Sequence, residues 1–227
     1  MFVGHFAAGL AAKRIAPKVS LCTLILAGAL ADILWIAFFL TGTERVVIQP
    51  GFMVANSLNL VYVPFSHSLF MDIVWGAILG GVYYLLRRDS RGAWVLAAVV
   101  LSHWPLDFIV HSPDMPLAPG IDARFGLSLW NSRPATFIVE GALWVGAVAI
   151  YARRTKFRTR PVAAAFWIMI ALLTFLWVIS LGGAPPPSLK SLAAVNTVFF
   201  LVLAAWAFWI ERGRGGGPHV PSVSFPA

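Results

Sequence analysis

The sequence predicts an all-α integral membrane protein with about six transmembrane helices, a short N-terminal re-entrant helix, and both termini on the cytoplasmic side. Three observations carry that prediction. The 227-residue chain is 59% hydrophobic and only 11% charged, against roughly 25% charged in soluble domains. Apolar stretches recur at 21–41, 66–86, 92–111, 134–152, 161–181 and 190–210, each near the ~20 residues that cross a hydrocarbon core. The basic residues also segregate. With loops alternating across six spans, one side holds Lys13, Arg14, Lys18, Arg87, Arg88, Arg91, Arg153, Arg154, Lys156, Arg158, Arg160, Arg212 and Arg214, and the other only Arg45, Arg124, Arg133 and Lys190. Such an asymmetry places the richer side in the cytoplasm. It also accounts for the net charge of +8 without nucleic-acid binding, and it suits attraction to anionic membrane lipids.

The elements follow in order. Residues 1–12 are apolar but too short to span, end at Lys13 and Arg14, and lack the pattern of a cleaved signal peptide. The first span carries Cys22, the one cysteine, which excludes an internal disulfide and reads as a small buried hydrophobe. Pro64 precedes the second span, with Ser66 as its expected N-cap. Pro105 lies inside the third span, where it withholds an N–H from Leu101 and predicts a kink between His103 and Asp107. Asn131 or Ser132 with Pro134 opens the fourth span and Pro161 the fifth, each putting proline in a first helical turn. Pro185, Pro186 and Pro187 fill the last loop. Residues 1–210 form the membrane domain, with 1–120 bearing the motifs and 134–210 reading mainly as scaffold helices. The tail 211–227, rich in Gly, Pro and Ser and including His219, reads as a disordered cytoplasmic segment. The two long loops, 42–63 and 112–133, fall on the non-cytoplasmic side. Trp94 and Trp130 read as interfacial anchors.

The chemistry lies in ionisable groups inside the apolar runs. His103, Asp107 and His111 recur at i, i+4 and i+8, so one helix face carries all three. At ~100° per residue, Asp114 would return to that face if the helix continued. Counting ~1.5 Å per residue from the basic marker of each helix places Asp32, Asp72, Asp107, Glu140 and His103 at ~18–24 Å. His5 falls at ~14 Å on the re-entrant helix, and His67 and His111 at ~30 Å, towards the outer mouth. Helices five and six bring no ionisable group to that layer.

Apart from Lys190 at the first position of the last span, no Lys or Arg lies within the six spans. The four carboxylates Asp32, Asp72, Asp107 and Glu140 each cost ~2.5–3.5 kcal/mol to insert, on the order of 10 kcal/mol together. Protonation, pairing with histidine or a bound metal ion would offset that cost. Metal accounts for His and Asp at one depth, and the donor set suits Zn²⁺, and also Mn²⁺ or Fe²⁺. The bland alternatives are a protonated packing residue for Asp72 and Glu140, and a capping or interfacial role for His67.

Gly4-His5, Ala31-Asp32-Ile33, Ser66-His67-Ser68 and Ser102-His103-x-x-x-Asp107, followed by Pro113 and Pro116-Leu117, occur in this order. Over roughly residues 1–120 this resembles the YdjM-like family of bacterial inner-membrane proteins, described as membrane-bound metal-dependent hydrolases. That family is in turn thought to be distantly similar to the all-helical zinc-dependent phospholipase C and P1-type nuclease group, which hydrolyses phosphoesters. The family's Pro-Asp-x-Asp appears here as Ala31-Asp32-Ile33-Leu34. Its His-Arg-Gly-x-Thr-His-Ser appears as Tyr62-Val63-Pro64-Phe65-Ser66-His67-Ser68. One acid and one histidine of the family pattern are therefore missing.

The leading expectation is an inner-membrane, metal-dependent hydrolase of a phosphoester or lipid. His5, Asp32, His67, His103, Asp107 and His111 are its expected metal ligands, with Zn²⁺ the first choice of divalent ion. Asp114 or Glu140 serves as general base, and the site opens to the non-cytoplasmic side. Two alternatives use the same residues: a proton- or ion-coupled transporter, and a catalytically inactive membrane scaffold. No internal repeat favours a transporter, and a scaffold leaves the cost of four buried acids unexplained.

Overall fold

The computed structural model describes residues 1–213. Most of the tail expected from 211, His219 included, lies outside the described residues. Nine α-helices are present among them: α1 Phe2–Ala12, α2 Leu21–Gly28, α3 Leu30–Leu40, α4 Leu69–Arg87, α5 Ser90–Leu101, α6 His103–Val110, α7 Arg133–Arg154, α8 Arg160–Ser180 and α9 Leu189–Arg212. Five spans are long and apolar enough to cross a membrane: α4, α5 with α6, α7, α8 and α9. The pair α2–α3 makes the sixth, bent by 57°.

That bend corrects the straight first span. The residue between the two helices, Ala29, has φ −96° and ψ 11°. The cause is the close crossing of α1: a Cβ on Gly28 would lie 2.3 Å from the His5 carbonyl oxygen. A continuous helix would commit the Gly28 carbonyl to the Asp32 N–H. Here it accepts a bond from His103 instead, at 2.9 Å. Gly28→Ala is therefore expected to cost about 1–3 kcal/mol by overpacking, seen as a lowered Tm in detergent; an unchanged Tm would show the crossing to be loose.

The third span also departs from expectation. It breaks at Ser102, one turn before the predicted kink, so His103 to Val110 is regular helix. Pro105 then sits in the first turn of α6, where its missing N–H costs nothing. The Trp104 N–H, released by the break, donates to Asp72 Oδ2 at 3.0 Å. Asp72, wholly buried on α4, thus closes the end of α6. The second span starts later than expected: Ser68, not Ser66, is its N-cap, accepting from Met71 N–H. Ser132 caps α7 and Pro134 occupies its first turn, as predicted.

The two long loops contain strands that the sequence reading missed. β1 (Arg45–Ile48) and β2 (Leu58–Tyr62) form an antiparallel hairpin, and β3 (Met115–Pro116) pairs with β4 (Arg124–Phe125). Arg124 ties the two loops together, donating to the carbonyls of Leu60 at 2.9 Å and Asp114 at 3.3 Å. Ala55 N–H donates to the Trp130 carbonyl. At the end of α6, Leu127 and Ser128 N–H satisfy the carbonyls of Phe108 and His111. Gly126 permits that approach, since a Cβ there would meet the Ser112 carbonyl oxygen at 2.1 Å.

Helix α1 is enclosed. Val3, Phe6 and Leu10 pack in one core with Leu21 and Ile25 of α2, Trp144 and Tyr151 of α7, and Phe166 of α8. At the basic end, Lys13 bonds Glu211 at 2.9 Å and also the Val19 carbonyl. Glu211 accepts the Leu21 N–H at 3.1 Å, so α9 continues through Arg212 and anchors α1 and α2 rather than dissolving into a tail. The side of the membrane each end faces is testable. A cysteine replacing the exposed Asp122, in a Cys22→Ser background, should react with an impermeant maleimide in intact cells; reaction only after lysis would invert the orientation.

Candidate metal centre

The floor of the site is assembled from four segments. Helix α1 contributes His5, α3 contributes Asp32, the turn before α4 contributes His67, and α6 contributes His103 and Asp107. All but Asp32 are buried; the Asp32 side chain is 37% exposed. Two groups of three donors result, His5–His103–Asp107 and Asp32–His67–His103, with the atoms of each group within 4.8 Å of one another. His103 belongs to both.

Individual separations are close to those of a coordination shell. His5 Nε2 lies 3.0 Å from Asp107 Oδ1, and His103 Nε2 lies 3.2 Å from Asp107 Oδ2. His67 Nε2 lies 3.6 Å from Asp32 Oδ1. Ligand atoms around a tetrahedral Zn²⁺ at ~2.0–2.1 Å stand about 3.3 Å apart. His103 Nε2 is buried with no hydrogen-bond partner among the described residues. The His5 and His103 rings stack at 3.7 Å and 4°, an arrangement that two imidazolium cations would oppose. The Met1 ammonium lies against Asp107 Oδ1 and 3.0 Å from His5 Nε2.

Two of the three histidines, His103 and His67, are oriented by the nitrogen facing away from the floor, whereas His5 Nδ1 is buried without a hydrogen-bond partner among the described residues. His103 Nδ1–H donates to the Gly28 carbonyl, which leaves Nε2 with its lone pair. His67 is set by a relay that the sequence reading missed. The Ser66 hydroxyl donates to Glu44 Oε2 at 2.5 Å, and it lies 2.7 Å from His67 Nδ1. Its one proton being committed, the hydroxyl accepts from Nδ1–H, and the lone pair of His67 again falls on Nε2. Glu44 is 1% exposed, and its Oε1 accepts the Phe65 and Ser66 N–H groups at 2.8 Å each. Ligating histidines are held in this way by carboxylates and carbonyls behind them. Nothing in the sequence around Glu44, an acid in a polar loop, distinguished it from a solvated residue.

Three further expected site residues lie around this floor. His111 lies just past the end of α6, its Nε2 3.9 Å from Asp107 Oδ2. Asp114 is not on the helix, which ends at Val110, but is returned by a turn. Its Oδ1 faces His111 Nδ1 at 3.2 Å and its Oδ2 accepts the Leu60 N–H at 3.3 Å. Asp114 thus stands behind His111 and outside the lining of the cavity, whereas His111 is in it. Glu140 reaches the same layer, but both of its oxygens are engaged, by Gly4 N–H at 3.2 Å and Trp177 Nε1–H at 3.0 Å. It ties α1 to α7 and α8. Trp130 is more than an interfacial anchor: its ring lies 4.5 Å from that of His111, and it lines the cavity.

A cavity of about 340 Å³ opens above this floor, within the ~300–1,000 Å³ of small-molecule sites. His5, Asp32, His67, Asp107, His111 and Glu140 give it polar groups, and α1, α3, α8, α9 and the β1–β2 hairpin supply mainly apolar walls. Helices α8 and α9, which bring no ionisable group to the floor, therefore still shape the site. The family model of the YdjM inner membrane protein matches residues 1–183. No curated protein and no solved structure matches the chain.

Proposed function

The chain belongs to the YdjM inner membrane protein family, and from that premise we propose that it is a membrane-bound, metal-dependent hydrolase of a phosphoester or lipid ester. The observation that carries this reading is the pair of donor groups sharing His103, buried but for Asp32. His103 can give only Nε2 to a metal, because Nδ1 is bonded to Gly28. One ion therefore takes His103 with donors from both groups, or two ions divide them with His103 on only one. Residues His5, His67, His103, Asp32 and Asp107 hold the metal, with Zn²⁺ the best match to two or three imidazoles and one or two carboxylates.

A divalent ion held there would supply Lewis-acid polarisation of a phosphoryl or carbonyl oxygen and would lower the pKa of a water to near ~7. The chain's own residues do the rest. Asp32 is the one partly exposed donor and lines the cavity, so water and substrate would approach from its side. His111 reaches into the cavity and orients the water. Asp114 fixes the His111 ring, a role that replaces direct base catalysis by Asp114. Glu140, with both oxygens occupied, serves to hold α1, and so His5, in place.

The test is elemental analysis of protein purified in mild detergent, with hydrolysis of a chromogenic phosphodiester and an acyl ester measured alongside. Wild type should carry about one or two equivalents of a transition metal and cleave one of the two probes. Protein that stays metal-free after reconstitution with Zn²⁺, Mn²⁺ and Fe²⁺ would remove the basis of the reading. Proton or cation flux in liposomes without hydrolysis would favour transport through the same layer.

A further inference from the structure

The walls of the cavity are sorted by chemistry. One side is a ladder of four phenylalanines contributed by α1 and α9. Phe2 and Phe6 stand 5.9 Å apart, each is 6.1 Å from Phe199, and Phe199 is 5.4 Å from Phe200. All four line the same cavity as the His/Asp floor. Phenylalanine brings no polar handle, so this wall suits an alkyl chain better than a sugar or a peptide. On another side a second cavity of about 670 Å³ adjoins it along the β1–β2 hairpin. The two share Asn56, Leu58 and Leu181 among their lining residues. The second cavity is lined by one charged residue, Arg133, at the start of α7, where the helix end adds further positive potential.

We infer that the substrate is an acyl-chain amphiphile with an anionic head, its tail along the Phe2–Phe6–Phe199–Phe200 ladder, its ester at the floor and its head towards Arg133. The inference rests on the hydrolase reading for the ester, but tail and head placement stand on the cavity alone. Because bilayer tails are already in an apolar medium, burial on the ladder adds little affinity. The ladder's effect is to hold the chain in one place, and the test is therefore positional.

The probe is a lysophosphatidic acid with a 16-carbon chain and a terminal diazirine, photolysed with the full-length protein in nanodiscs, with and without Zn²⁺. Crosslinks are expected at the Phe199 and Phe200 side chains themselves, resolved residue by residue, in both conditions. The double variant F199W/F200W should lose most of this labelling while binding Zn²⁺ as wild type does. Arg133→Gln should weaken labelling by this probe about tenfold, the value of one charge-assisted hydrogen bond, and leave the same chain on a phosphocholine head unaffected. Crosslinks spread over the outward residues Val198, Leu201 and Val202, with none on the ladder, would overturn the tail placement. An equal response of both heads to Arg133→Gln would overturn the head placement. Ladder labelling in a protein that binds no metal would uphold the amphiphile site and sink the hydrolase.

Discussion

Asp107→Ala is expected to abolish stoichiometric metal binding, with at least a hundredfold loss of affinity for Zn²⁺. The carboxylate is central because its two oxygens face different partners: Oδ1 lies 3.0 Å from His5, and Oδ2 lies 3.2 Å from His103. Losing one anionic ligand removes both a bond and the charge that neutralises the ion in a low-dielectric site. Truncation also leaves the buried imidazoles unpaired, so Asp107→Asn, which keeps the volume, is needed as a companion. Metal content by elemental analysis and the Zn²⁺-dependent rise in Tm in detergent check the result. A ligand present at about 100 times its Kd stabilises by ~2.7 kcal/mol, and that increment should vanish in both variants. A variant that folds and retains a full equivalent of metal with its Tm shift would show that Asp107 is not a ligand.

The parts of this site that the sequence disclosed are those whose cost was visible there. Asp32, His103 and Asp107 lie in apolar runs, where an ionisable group is expensive, so they stood out before any geometry was known. The same contrast flagged Glu140, and the fold answers its cost differently, with a Gly4 N–H and a Trp177 indole. What stayed hidden depends on long-range approach. The bend at Ala29 arises because α1 crosses at Gly28, and no pattern within 21–41 encodes that crossing. The place of Asp114 was hidden too, because α6 ends at Val110 and a turn brings the carboxylate behind His111. The span count was legible because composition and length decide it; the relative placement of the side chains was not.

Glu44 shows the opposite case, a residue silent in sequence whose replacement should be among the most damaging. Glu44→Gln is expected to lower metal affinity by about 10- to 100-fold, the usual effect of losing a partner behind a ligand, with little change in fold. The amide oxygen can still accept the Phe65 and Ser66 N–H groups that Oε1 now receives. The amide nitrogen then faces the Ser66 hydroxyl and donates to it. The hydroxyl must turn its proton towards His67 Nδ1, which becomes the acceptor, and the ring proton moves to Nε2. The nitrogen facing Asp32 is then a donor with no lone pair for a metal. Ser66→Ala removes the relay without imposing that tautomer, so its loss should be smaller than that of Glu44→Gln. In the double variant the alanine should restore part of the affinity. Nitrogen NMR of labelled histidine in the metal-free protein reads the tautomer directly, and isothermal titration with Zn²⁺ reads the affinity. If Glu44→Gln keeps the Nε2 lone pair and wild-type affinity, His67 is oriented by something other than this relay. If Ser66→Ala proves as damaging as Glu44→Gln, packing around the hydroxyl governs the site rather than the direction of its proton.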